Sequence, residues 1–172
     1  MKRTFTALAA VALFGGAAYA QDSESLVIDL SGEVDSNCEL VPEGSASFDV
    51  DMLETGNQGS LAIAYSCNSP YEVTLQSLYG GMRHDESGGA VVIDYDIEHF
   101  GFDQNGLGGG TVNSASMQAT AAVIASSPNW ENILTNGGIR TGNMDLSFDS
   151  LNEYAVAGTY EDELTLTLTA IL

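Results

Sequence analysis

The thiol and imidazole groups of this 172-residue chain are Cys38, Cys67, His84 and His99, set among 24 acidic residues. The histidines stand far apart, and neither belongs to a metal-ligand spacing, so each reads as a surface or loop histidine. No Gly-x-Ser-x-Gly elbow anchors a nucleophilic serine. The run from Leu107 to Gly110 leads into a β-like stretch and opens no helix, so it reads as a loop and not as a phosphate cradle. No pair of carboxylates stands out as a glycosidase couple. Catalysis is not expected, nor is a cofactor.

The acids offer one weak candidate for cation binding. Asp94, Asp96 and Glu98 share a strand face at about 6–7 Å per step, and Asp103, Asn105 and the stretch from Asp145 to Glu153 add loop oxygens. Calcium requires six to eight oxygens converging at about 2.3–2.6 Å, and no EF-hand spacing is present. A solvated acidic face that discourages edge-to-edge pairing accounts for the same residues. The expectation is therefore no metal, with these three as weak calcium candidates.

The N-terminus has the form of a secretory signal peptide. Lys2 and Arg3 form its charged start, Ala7 to Phe14 its apolar stretch, and Ala18, Tyr19 and Ala20 a small-x-small cleavage site. Export places Cys38 and Cys67 in an oxidising compartment, where they are expected to bridge, at about 3–4 kcal/mol in the chain-entropy model. Loss of residues 1–20 leaves two cations, Arg83 and Arg140, against all 24 acids. Such a field repels nucleic acid and anionic membrane surfaces. No later run is long enough to insert in a bilayer.

The elements that position these residues have a period of two. Alternating runs cover Phe48 to Met52, Leu61 to Tyr65, Tyr71 to Leu75, Val91 to Glu98, Met144 to Phe148, and Glu163 to Leu172. Asn68, Ser69 and Pro70 form a turn signal, so the second and third runs read as a hairpin. Ser114 to Ala125 reads as a strand pair or a short helix capped near Asn113 or Ser114. Pro128 to Gly142, with Trp130, reads as a long loop. The class is an all-β sandwich.

One more alternating run precedes Cys38. Leu26, Ile28, Leu30 and Val34 share a face, with Gly32 between the last two. Alternation specifies a buried face but not whose. The segment 21–35 either joins its own sandwich, residues 36–172, or fills a neighbour's. The final run stops at the end of the chain, so its free edge is expected to lack a partner from later sequence.

The ordered set of runs resembles the spore coat protein U-type domains, relatives of archaic chaperone–usher pilus subunits. The matching features are the segment Leu26 to Val34, Cys38 with Cys67 followed by Asn68 to Leu75, the run Ile93 to Ile97 with Tyr95, and Ala157, Gly158, Tyr160 and Asp162 leading into the last strand. The resemblance implies an immunoglobulin-like Greek-key sandwich lacking its last strand. It also implies assembly by donor-strand exchange with identical or related pilin subunits, served by a periplasmic chaperone and an outer-membrane usher. The subunit would pass through the periplasm to a surface pilus of a Gram-negative bacterium, with a role in adhesion or biofilm. Leu26, Ile28, Leu30, Gly32 and Val34 would be the donor, and Leu164, Leu166, Leu168 and Leu172 the acceptor groove and final strand. The other reading is a monomeric secreted β-sandwich binding a ligand, or calcium, through acidic loops.

Overall fold

The computed structural model describes residues 26–102, 108–131, 133, 140–149 and 156–171. The expected signal peptide, Asp103, Asn105, Glu153 and Leu172 lie outside these. The chain divides into two compact units, Met1–Glu33 and Val34–Leu172. In the first unit, residues 26–33 carry no helix or strand, and Leu26, Ile28 and Leu30 are 84%, 69% and 92% exposed.

The second unit is all-β. Its described residues hold strands β1 (Cys38–Pro42), β2 (Gly56–Cys67), β3 (Tyr71–Ser77), β4 (Met82–His84), β5 (Val92–Ile93), β6 (Asp96–Phe100), β7 (Gly109–Asn113), β8 (Ala122–Ser127), β9 (Arg140–Phe148), β10 (Tyr160–Glu161) and β11 (Leu164–Ala170). They form three antiparallel sheets in the orders β1-β2-β9-β6-β7, β11-β3-β8 and β10-β4-β5.

One core lies between the two larger sheets. From the five-stranded sheet it takes Ile63 and Tyr65 of β2, Ile97 of β6, and Met144, Leu146 and Phe148 of β9; from the other it takes Tyr71, Val73 and Leu75 of β3 and Ile124 of β8. Each is an alternate position of its strand, so the period-two pattern is the pattern of burial. Register aligns Leu61 with Met144 and Ile97 with Leu146. Tyr65 and Tyr71 pack edge to face, and their hydroxyls donate to the carbonyls of Gly101 and Phe102 at 2.7 and 3.2 Å. Both tyrosines thus enter the core with their polar ends satisfied. Phe102 lies directly over Gly142, where a Cβ would collide with its ring, so β9 needs glycine there.

Several sequence expectations are corrected. The runs at 61–65 and 71–75 do not form a hairpin: β2 pairs β1 and β9, whereas β3 pairs β11 and β8. Both runs bury their apolar faces in one core from opposite sides, and the turn at Asn68 to Pro70 hands the chain from sheet to sheet. The run Val91 to Glu98 is split, with β5 in the small sheet and β6 in the large one. Phe48, Val50 and Met52 keep their alternation, half-buried against the core, but the segment joins no ladder among the described residues. Gly109 and Gly110 begin strand β7, pairing with Phe100 and His99, and are not loop. Strand β9 starts at Arg140, inside the stretch read as loop. The capped short helix proves to be a 3-10 turn, Ser114–Met117, with the Asn113 side chain accepting from the Ala115 amide at 3.1 Å.

Neither histidine is a surface residue. His84 is 3% exposed: its Nδ1 accepts from the Ser87 amide at 3.0 Å, its Nε2 faces the Ala157 carbonyl at 3.2 Å, and Tyr160 packs edge-on against it. Gly158, at φ +153°, passes so close to His84 that no side chain fits. His99 is an inward position of β6 beyond Ile97, and burial pushes its imidazole pKa below the ordinary value.

Candidate strand-binding groove

Cys38 and Cys67 are disulfide-bonded and tie the start of β1 to the end of β2. The Asn68 side chain reinforces this corner, accepting from the Asn37 amide at 2.6 Å and donating to the Asp35 carbonyl at 2.9 Å. β1 is thereby fixed as the edge of the large sheet, and β11 is the edge of the three-stranded one.

Between these edges lies a groove of about 490 Å³. Leu164 and Leu166 of β11 form one wall. Leu40 and Pro42 of β1, with Phe48 and Val50, form the other. Its floor is the core itself: Leu61, Ile63, Leu75, Met144 and Leu146. An apolar cleft that opens onto core side chains is a place where a further strand would complete the packing.

The backbone of β11 is ready for one. The Glu163 carbonyl accepts from the Leu78 amide at 2.9 Å, and the Ile171 amide donates to the Pro70 carbonyl at 2.7 Å. Odd-numbered residues of β11 thus point their polar groups toward β3. Because antiparallel ladders alternate, Leu164, Leu166, Leu168 and Ala170 point theirs to the other edge, where no ladder forms among the described residues. On β1 the same parity turns Leu40 and Pro42 outward, and proline, which has no amide to donate, suits an edge.

One end of the groove is polar. Tyr160, Glu161, Asp162, Glu163 and Tyr95 line it. The Asp162 carboxylate accepts from the Tyr95 hydroxyl at 2.7 Å, the Ser77 hydroxyl at 2.6 Å, the Tyr79 amide at 3.0 Å and the Glu163 amide at 2.8 Å. Burial first, and the neighbouring carboxylate second, push the Tyr95 hydroxyl pKa well above the ordinary tyrosine value, so it stays protonated and can donate to Asp162. Beside this corner Arg83 lies 3.9 Å over the Tyr79 ring and 3.9 Å from the Glu161 carboxylate.

No protein-family model matches this chain. No curated protein matches it. Among solved structures it is similar to the crystal structure of the CupB6 tip adhesin from Pseudomonas aeruginosa, with 13% identity over 81% of this chain and a TM-score of 0.39. The chain spans 45% of that adhesin's length. At this distance the likeness carries no argument about function.

Of the residues expected to form an acceptor, Leu164 and Leu166 line the groove. Leu168 lies further along β11, half-buried against the core, and Leu172 is outside the described residues. Of the expected donor residues, Leu26, Ile28 and Leu30 are exposed, and so is Val34 at 86%. Around Gly32 nothing lies within 4 Å of where a Cβ would stand. The acids weighed for calcium do not converge: Asp96 accepts from the Asn113 side chain at 2.9 Å, Glu98 is exposed, and among the described residues no three ligating side chains cluster. Leu40, Phe48, Val50 and Asp162 are groove residues that the sequence reading assigned no role. For Phe48 and Val50 the signal was present, as apolar positions alternating with Asp49 and Asp51.

Proposed function

We propose that this protein is an exported structural subunit whose groove between β1 and β11 takes the segment Leu26 to Val34 of another copy, building a head-to-tail fibre. The observation that carries this reading is the complementarity of two parts of one chain. The groove is apolar, opens onto the core and is bordered by the unladdered edge of β11. The segment is a run of exposed aliphatic residues at every second position. Seating a strand there adds backbone hydrogen bonds along β11 and buries one apolar face. Four aliphatic side chains at about 1.5–3 kcal/mol each contribute about 6–12 kcal/mol before ordering costs. Head-to-tail contacts whose rotation does not close extend into filaments.

In this reading the work is mechanical, with no catalytic group and no cofactor. The exposed groove of a newly exported subunit calls for a periplasmic chaperone to cover it and an outer-membrane usher to exchange that cover for the next subunit. The fibre would stand on the cell surface and serve adhesion.

Denaturing gels of unheated and boiled full-length protein test the reading. A heat-sensitive ladder is expected, and the Ile28→Asp, Leu30→Asp double variant should abolish it. Wild-type protein that runs as a single unheated band, with a calcium-dependent rise in melting temperature, would instead fit a monomeric binding module.

A further inference from the structure

The donor segment has a weakness that the groove must correct. Leu26, Ile28 and Leu30 are three similar aliphatics at identical spacing, so along that stretch a slip of two residues exchanges one aliphatic for another, and Gly32 is the one position of the alternating face that marks the alignment. Side-chain fit along such a run specifies register poorly. A group fixed at one end of the groove would sharpen it.

The polar end has the construction required. The four hydrogen bonds to Asp162 come from the end of β3, the following turn, the link between β5 and β6, and the entrance to β11 itself. Two of the donors are rigid: Ser77 is fully buried and its hydroxyl also accepts from the Gly80 amide at 2.7 Å, while Tyr95 is 2% exposed and packs edge-on to Phe148. The backbone at Glu163 is bonded toward β3, so Leu164 is the first residue of β11 with polar groups free for an incoming strand. Beyond it, an apolar side chain would bury a charged carboxylate whose acceptor sites are already taken, with no hydrogen bond gained in return.

Resting on the assembly reading above, we propose that Asp162, held in place by Tyr95 and Ser77, is the register stop of the groove: it fixes the point on β11 at which the inserted strand ends. Asp162 is a positioning residue. It contributes little attraction to the apolar donor and excludes the slipped alignments.

The test uses the full-length chain with Asp29→p-benzoylphenylalanine, a photocrosslinker on the donor's outward face. Thr165, Thr167 and Thr169 are the outward positions of β11. In wild-type fibres irradiation should join position 29 to one of these threonines in the neighbouring subunit. In Asp162→Asn and in Tyr95→Phe, which keeps the ring and loses only the hydroxyl, the crosslink should spread to the threonine two residues away. Val73→Ala, which weakens the core away from this end, should keep the single site. The proposal is overturned if both network variants retain the wild-type site, or if Val73→Ala spreads it equally. If Asp162→Asn does not fold, Tyr95→Phe alone decides. Wild-type protein without any intersubunit crosslink would overturn the assembly reading itself, a result distinct from an unchanged register.

Discussion

Strands β3 and β11 lie side by side in one sheet and carry the same alternation, yet their apolar faces have different fates. Tyr71, Val73 and Leu75 are 3%, 0% and 0% exposed, whereas Leu164, Leu166 and Leu168 are only half-buried. The difference lies in what is stacked over each. β3 faces the long strands of the opposite sheet. β11 faces the place where that sheet ends, at the five residues of β1 and the unladdered segment carrying Phe48 and Val50. The same pattern therefore gives a finished core in one strand and an open groove in the next, and the groove is where the protein can still gain stability by association.

The sharpest way to break this comparison is truncation. Leu75→Ala should cost about 2–5 kcal/mol in denaturant unfolding of the subunit, and Leu166→Ala only about 1–2 kcal/mol. Equal losses would mean that β11 is as well covered as β3. Next comes the disulfide, which holds the β1 wall and closes a loop with a sequence separation of 29. Reduction should lower subunit stability by about 3–4 kcal/mol and weaken assembly with it, which unfolding curves with and without reductant would show.

Acid separates the regions more gently. His99 belongs to the covered half, and its folded-state pKa is lowered by burial. The unfolded chain then binds the proton first as pH falls through about 6.5, so this residue's contribution is complete above that pH and declines below it. His99→Leu should flatten the pH dependence of the urea midpoint between pH 7.5 and 5, and an unchanged slope would contradict the assignment. The smallest effect is expected on the outer face, where Glu98 stands opposite Asp145 across β6 and β9. Glu98→Thr should stabilise by a few tenths of a kcal/mol, measurable as a small rise in melting temperature that salt diminishes.

Much of the fold was readable because strand burial and sequence alternation share one period. Tyr71 to Leu75, Met144 to Phe148 and the final Leu–Thr run all declare their inward faces. What alternation does not carry is the identity of the opposing layer, so two runs that face each other across the core looked like a hairpin. Nor does it say whether an extended run finds a partner: Phe48 to Met52 has a strand's pattern and no ladder. The histidines were misjudged because an isolated imidazole gives no hint of burial, which depends on Ser87, Ala157 and Tyr160 closing around one and on strand parity for the other. The groove was hidden for the same reason as the hairpin error, since it exists only between two sheet edges. Asp162 was visible as a motif residue, but its four donors are scattered from Ser77 to Glu163.

Amide hydrogen exchange along β11 tests the central claim most directly. In the Ile28→Asp, Leu30→Asp variant, kept monomeric, the amides of Thr165, Thr167 and Thr169 should be protected by β3, and those of Leu166 and Leu168 should exchange freely. In assembled wild-type protein the leucine amides should become protected as well. Leucine amides already protected in the monomer, or still exchanging freely in the assembly, would contradict a groove filled by a neighbour's strand.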